Sequence, residues 1–105
     1  MTTIEFFYNG NDICGFVLQG HSTKNELDLE GKIVCSAVSS AAYMTVNTLT
    51  EVIGANADIE VDDGKMVVHL TSNVKSAQQV LKGFRLHLSQ LADDYNNRIT
   101  LLSEV

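Results

Sequence analysis

No stretch of this sequence approaches the ~20 consecutive apolar residues that a bilayer-spanning helix needs. Its first residues, Met1-Thr2-Thr3-Ile4-Glu5, have neither a basic start nor an uninterrupted apolar run. A cytoplasmic location with no membrane association is the expectation. Cysteine is scarce as well: the chain has two, Cys14 and Cys35, and without a secretion signal both are expected as free thiols. There is no Cys-x-x-Cys or His-x-x-x-His pair, and His21, His69 and His87 are scattered, so neither a metal centre nor another cofactor is expected. Cations are few, 7 Lys and Arg against 13 Asp and Glu, for a formal net charge of −6. That shortage excludes the Lys/Arg surface that replaces phosphate counterions, and with it broad binding to nucleic acid. An acidic chain can draw in a basic partner instead, although such a charge is common in proteins that bind nothing basic.

What is present suits one soluble domain over residues 1–105. The chain is 45% hydrophobic and 19% charged, and a domain of this length buries roughly two thirds of the surface it exposes when unfolded. Residues 3 to 8 alternate, with Ile4, Phe6 and Tyr8 on one side of a strand. Asn9-Gly10 supplies a turn, and residues 13 to 19 return as a second strand with Cys14, Phe16 and Leu18 on one face, so that Cys14 reads as core. Residues 22 to 32 carry Lys24, Glu26, Asp28, Glu30 and Lys32, with only Leu27 and Leu29 apolar. They predict a solvated, mobile loop hinged at Gly20 and Gly31, long enough to be functional rather than a plain surface connection. Leu27 and Leu29 would touch substrate when it closes.

From Val34 the period becomes helical, through Val38, Ala41 or Ala42, Val46, Leu49 and Val52 or Ile53, and stops at Gly54. The helix is expected to begin at or near Cys35. Its first half is rich in small residues, Ser36, Ala37 and Ser39 to Ala42, which suits close packing or close approach of a substrate. Residues 58 to 62 and 65 to 70 around Asp63-Gly64 predict a hairpin with Ile59, Val61, Met66, Val68 and Leu70 inward, His69 in solvent and no chemistry at the turn. A second helix spans about 76 to 96, opened by a Ser76/Gln79 capping box. Within it Gly83 marks a close contact and His87 a solvated position. Arg98 to Ser103 form a last strand. The order ββαββαβ gives an α+β two-layer sandwich, a mostly antiparallel sheet with two helices on one face; a homodimer would cover the other face.

The chemistry concentrates between Gly20 and Ser40, where His21 ends one element and Cys35 opens another. A cysteine in a first helical turn lies near unpaired N–H groups and the positive end of the dipole, which favour thiolate, and Lys32 would add to this. A histidine can hold that thiolate and later protonate a leaving amine. The N–H groups of Cys35 and Ser36 would stabilise an oxyanion, and Ser39, one turn along, would shape the pocket. Without wider context the plainer reading prevails, Cys35 as a small buried apolar residue capping a core helix and His21 as a surface residue after a strand.

Gly20-His21, the run Gly31-Lys32-Ile33-Val34-Cys35-Ser36-Ala37-Val38-Ser39 and the ββαββαβ order around them resemble the ribosomal-processing cysteine protease family (Prp), over essentially the whole chain. The resemblance implies a bacterial cysteine endopeptidase, usually dimeric, that removes a short N-terminal extension from a large-subunit ribosomal protein. By match, His21 is the base, Cys35 the nucleophile, Ser39 the nearby serine and Gly20 the loop hinge. The implied partner is a basic N-terminal segment of the precursor, which suits an acidic chain. The family usually has an aspartate where this sequence has Lys32, so a carboxylate acting there is absent or moved to Asp28 or Glu30. The His-to-Cys spacing is also longer than usual. Two rivals follow: a non-catalytic ribosome-associated binding module of the same fold, with Lys32 as the sign of lost turnover, and a redox thiol protein, which would need a resolving cysteine nearby.

Overall fold

Alternation of apolar and polar residues shapes the first two strands. In β1 (Thr2–Asn9) Thr2, Ile4 and Phe6 are buried while Glu5 is exposed. β2 (Asp12–Gln19) returns antiparallel, setting Leu18 opposite Ile4 and Phe16 opposite Phe6. The computed structural model describes residues 1–102, so the expectation for Ser103 lies outside the described residues. α1 (Leu29–Asn47) follows, widening into a π-helical turn, Thr48–Val52. Next come β3 (Ala57–Asp62) and β4 (Lys65–Leu70), a 3-10 turn over Lys75–Ala77, α2 (Gln78–Asp94) and β5 (Ile99–Leu101).

The sheet order is β3-β4-β2-β1-β5, antiparallel except that β5 lies parallel to β1. Both helices pack on the face that carries Ile4, Phe16, Leu18, Met66 and Val68, giving the α+β two-layer sandwich with ββαββαβ order that the alternation predicts. Phe16 and Phe84 meet edge to face at 4.8 Å, with Phe6 5.9 Å from Phe84; such tilted aromatic pairs stabilise beyond their buried area. No helix of the described residues is long and apolar enough to cross a membrane.

The hairpin at the start differs from its sequence reading by one bulge. Phe7 faces Gly15 but Tyr8 faces Ile13, leaving Cys14 as the extra residue. Ile13 is therefore fully buried and Cys14 only half-buried, so the core position belongs to Ile13. The buried Gln78 closes the gap: its Oε1 accepts from the Ile13 N–H at 2.8 Å and its Nε2 donates to the Ile13 carbonyl at 2.9 Å. α2 starts at Gln78, directly after the 3-10 turn, rather than at Ser76, with no side-chain cap. Gly83 has nothing within 4 Å of where a Cβ would sit, so no close contact explains it. Ile59 and Val61 share the helix-side face as the alternation requires, but β3 is an edge strand beyond helix cover and leaves them 41% and 55% exposed.

Candidate active site

The site is assembled at the end of β2. Gly20 has φ +94°, and a Cβ there would lie 2.3 Å from the Met1 carbonyl oxygen, so both backbone conformation and space demand glycine. Its N–H donates to the Gly64 carbonyl at 2.8 Å, tying this corner to the β3–β4 turn. His21 follows, 57% exposed, with Nε2 3.8 Å from Asp63 Oδ1. The imidazole lies over Gly64, where a Cβ would come within 2.7 Å of Nε2. The Asp63-Gly64 turn, expected to carry no chemistry, is thus part of the histidine's surroundings. The register Gln19 opposite Lys65 brings it there, a long-range pairing with no local signal in the sequence.

Ser22 connects the two candidate groups. Its backbone N–H donates to Cys35 Sγ at 3.2 Å, while its side chain is buried, donating to the Arg98 carbonyl at 3.0 Å and bonding the Thr2 hydroxyl at 2.6 Å. Cys35 is half-buried, and among the described residues His21, Cys35, Ser39, Val38, Val61 and Met66 line one open groove between α1 and the β3–β4 hairpin. Ser36 is exposed, like Ser39, but does not line this groove.

Helix α1 begins six residues before Cys35, contrary to expectation. Asp28 is its N-cap, with Oδ1 accepting from the Gly31 N–H at 3.1 Å and Oδ2 from the Lys24 N–H at 2.9 Å. Arg98 grips the same carboxylate from across the fold, NH1 to Oδ2 at 2.6 Å and NH2 to Oδ1 at 3.0 Å, and also donates to the Ser22 carbonyl at 2.7 Å. Its Nε reaches Glu30 at 3.3 Å. The Arg98 guanidinium, helped by the two backbone donors, holds the Asp28 carboxyl well below the usual carboxylate range, and Asp28 in turn raises the Arg98 pKa.

Three expectations change. Cys35 stands nearly two turns into the helix, beyond the reach of a dipole effect that fades within the first turn. The N–H groups of Cys35 and Ser36 belong to the helical ladder, so they do not form an oxyanion hole, and the donor directed at the sulfur is that of Ser22. The loop of residues 22 to 32 is shorter and tied down: Leu29, Gly31 and Lys32 are helical, and Lys24, Ser22 and Asp28 converge on one ion pair. Gly31 is buried where a Cβ would lie 2.5 Å from Asp28 Oδ2 and 2.8 Å from Arg98 NH1, so close packing rather than hinge motion explains it. Leu27 and Leu29 are 89% and 72% exposed and Lys32 is exposed.

Asp28 and Glu30, the two places to which a displaced carboxylate could have moved, are both engaged by Arg98. The acid near His21 is Asp63 instead. Sequence reasoning missed Asp28 as a cap, although an Asp before an acidic first turn is a readable helix start. It had no means of finding Arg98, which arrives from 70 positions away. Among the described residues no three His, Cys, Asp or Glu side chains are grouped to hold a metal.

An α+β sandwich that brings a cysteine and a histidine to one open groove, beside an uncapped sheet edge, has the layout of a thiol hydrolase. Residues 1–100 match the family model described as Cysteine protease Prp. The chain belongs to that family, and membership makes it a cysteine protease. A relative from Staphylococcus aureus called ribosomal processing cysteine protease Prp is 26% identical over 105 residues, which is 96% of this chain and 97% of the relative. The solved structure of the S. aureus ribosomal processing protease Prp with a substrate peptide superposes with a TM-score of 0.86 at 22% identity, covering 99% of this chain and 100% of that one. SMU.848 from Streptococcus mutans gives 0.82 at 23% identity, covering 96% and 91%. These structural likenesses carry the fold.

Proposed function

We propose that this chain is an endopeptidase that removes the N-terminal extension of a large-subunit ribosomal protein precursor, with Cys35 as nucleophile and His21 as its base. The observation that carries the reading is that both side chains line one groove while the Ser22 N–H donates to Cys35 Sγ at 3.2 Å. The ribosomal substrate is the one in the name of the 26% identical relative. The activity is assigned to residues 1–105 as one domain, working as a homodimer in the cytoplasm.

His21 takes the Cys35 proton, and the sulfur attacks the scissile carbonyl carbon as the carbonyl π pair moves onto oxygen. The pair then returns, the C–N bond breaks, and the imidazolium gives its proton to the departing amine. Water deprotonated by His21 hydrolyses the thioester and restores the thiol. Ser39, in the groove, supplies a hydroxyl toward the reacting carbonyl, Ser36 supports the same helical turn, and Asp63 keeps the imidazole over Gly64. Gly20 sets the corner that presents His21. Leu27 and Leu29, exposed around the start of α1, offer apolar contacts to the extension, with Lys32 exposed on the following turn, while Gly31 packs against Asp28 and Arg98.

The test is to incubate the protein with the full-length precursor from the same source and read the product by mass spectrometry, with Cys35→Ala and His21→Ala alongside. A shortened product from the unmodified protein and from neither variant is the expected result. A precursor that binds but stays intact would hand the chain to the non-catalytic binding module.

A further inference from the structure

β3 forms one edge of the sheet over six residues, while the opposite edge is divided between the three-residue β5 and the part of β1 that β5 does not pair. The free groups of β3 can be assigned from the ladder. Asp62 pairs with Lys65 across a two-residue turn, and beyond the other end the Thr71 N–H bonds the Asn56 carbonyl at 2.8 Å. Antiparallel ladders alternate bonded and non-bonded pairs, so Asp62, Glu60 and Asp58 spend their main-chain groups on β4. Ile59 and Val61 aim theirs away from the sheet.

Side chains sort by the same alternation. Ile59 and Val61 share the helix-side face, and Val61 lines the groove that holds Cys35 and His21. Asp58, Glu60 and Asp62 stand exposed on the open face, with Lys65 opposite Asp62. A second copy of β3 is a poor occupant, because antiparallel self-pairing would set this acidic row against itself, and like charges directly opposite are destabilising.

We infer that β3 is the docking edge for the protein substrate, which adds as an extended strand alongside Ile59 and Val61, its basic side chains facing Asp58, Glu60 and Asp62 and its apolar ones turned toward the Cys35 groove. The inference rests on the proposed function for the identity of the substrate. Ribosomal proteins meet RNA phosphates and are basic for that reason, which supplies the complementary charge. Main-chain bonds along an edge give affinity, and alternate side chains give selectivity. The groove continues the strand's inner face, so docking there delivers a backbone carbonyl to the cysteine.

The test uses a synthetic peptide copying the N-terminal segment of the precursor, titrated against full-length Cys35→Ala so that no turnover intervenes. Adding Asp58→Lys and Glu60→Lys should weaken binding about tenfold at low salt, and a peptide with its Lys and Arg replaced by Glu should regain it. Val61→Pro removes an outward N–H without breaking the ladder to β4 and should weaken binding similarly; circular dichroism checks its fold. A peptide carrying an ester in place of one amide tests the same bonds with no change to the protein. Unchanged affinity across these arms, no binding of the peptide at all, or an effect on self-association in place of peptide binding would overturn the inference. If the unmodified protein cuts the precursor while the edge variants bind normally, the edge alone fails; if it cuts nothing while the edge variants lose the peptide, the catalytic reading alone fails.

Discussion

Gly31 and Gly83 both sit inside helices, and their surroundings give them opposite responses to the same substitution. At Gly83 nothing lies within 4 Å of a new Cβ, so Gly83→Ala should add about 1 kcal/mol of helix stability, raising Tm by about 4–8 °C. At Gly31 the new methyl meets Asp28, Arg98 and the Ser22 carbonyl. Gly31→Ala should therefore lower stability by about 1–3 kcal/mol, as overpacking does. Parallel melting curves decide both. From the sequence these glycines looked like a loop hinge and a helix contact. The information that reverses both readings is tertiary, since it depends on where Arg98 arrives and on the space beside α2.

At the scale of elements, the bulge and α2 are one device. Ile13, beside the extra residue Cys14, lies beyond the last β2–β4 pair, Gly15 with His69, and Gln78 supplies its backbone with both a donor and an acceptor. Gln78→Leu removes them and strands a buried N–H and carbonyl, so it should cost about 1–3 kcal/mol, seen in urea unfolding as a lower midpoint at constant slope. The strands, the Asp63-Gly64 turn and both helices were legible because alternation and helical period report which face is buried. The bulge was not legible, because Cys14 fits the alternation of Phe16 and Leu18 and only the pairing with β1 shows the slip. The start of α1 was missed for a related reason. Leu29, Lys32 and Ile33 are largely exposed, so the first turns of the helix carry little apolar periodicity, and the cap at Asp28 was the one signal available.

Across the whole molecule, Arg98 joins what the chain separates. It lies at the entry to β5, its carbonyl accepts from Thr2 of β1 at 2.8 Å, and its guanidinium holds the cap of α1. The candidate histidine and cysteine are carried by segments fastened to this one residue. Asp28 is held below its ordinary carboxyl pKa of 3.8 chiefly by Arg98, so the unfolded chain takes up this proton more readily than the folded one. Its stabilisation is complete above that ordinary value and is lost as pH falls through and below it. Asp28→Asn should lower Tm at neutral pH and flatten the acid limb of the Tm profile. A limb as steep as that of the unmodified protein would assign acid sensitivity elsewhere.

The proposed pairing of Cys35 with His21 in one groove predicts a reactive thiol. The most direct measurement is the rate of iodoacetamide alkylation at each cysteine, followed by peptide mass mapping at neutral pH in the unmodified protein and in His21→Ala. Cys35 should be labelled much faster than Cys14, and His21→Ala should slow it toward the Cys14 rate. Equal rates at the two cysteines, or a Cys35 rate indifferent to His21, would contradict the account.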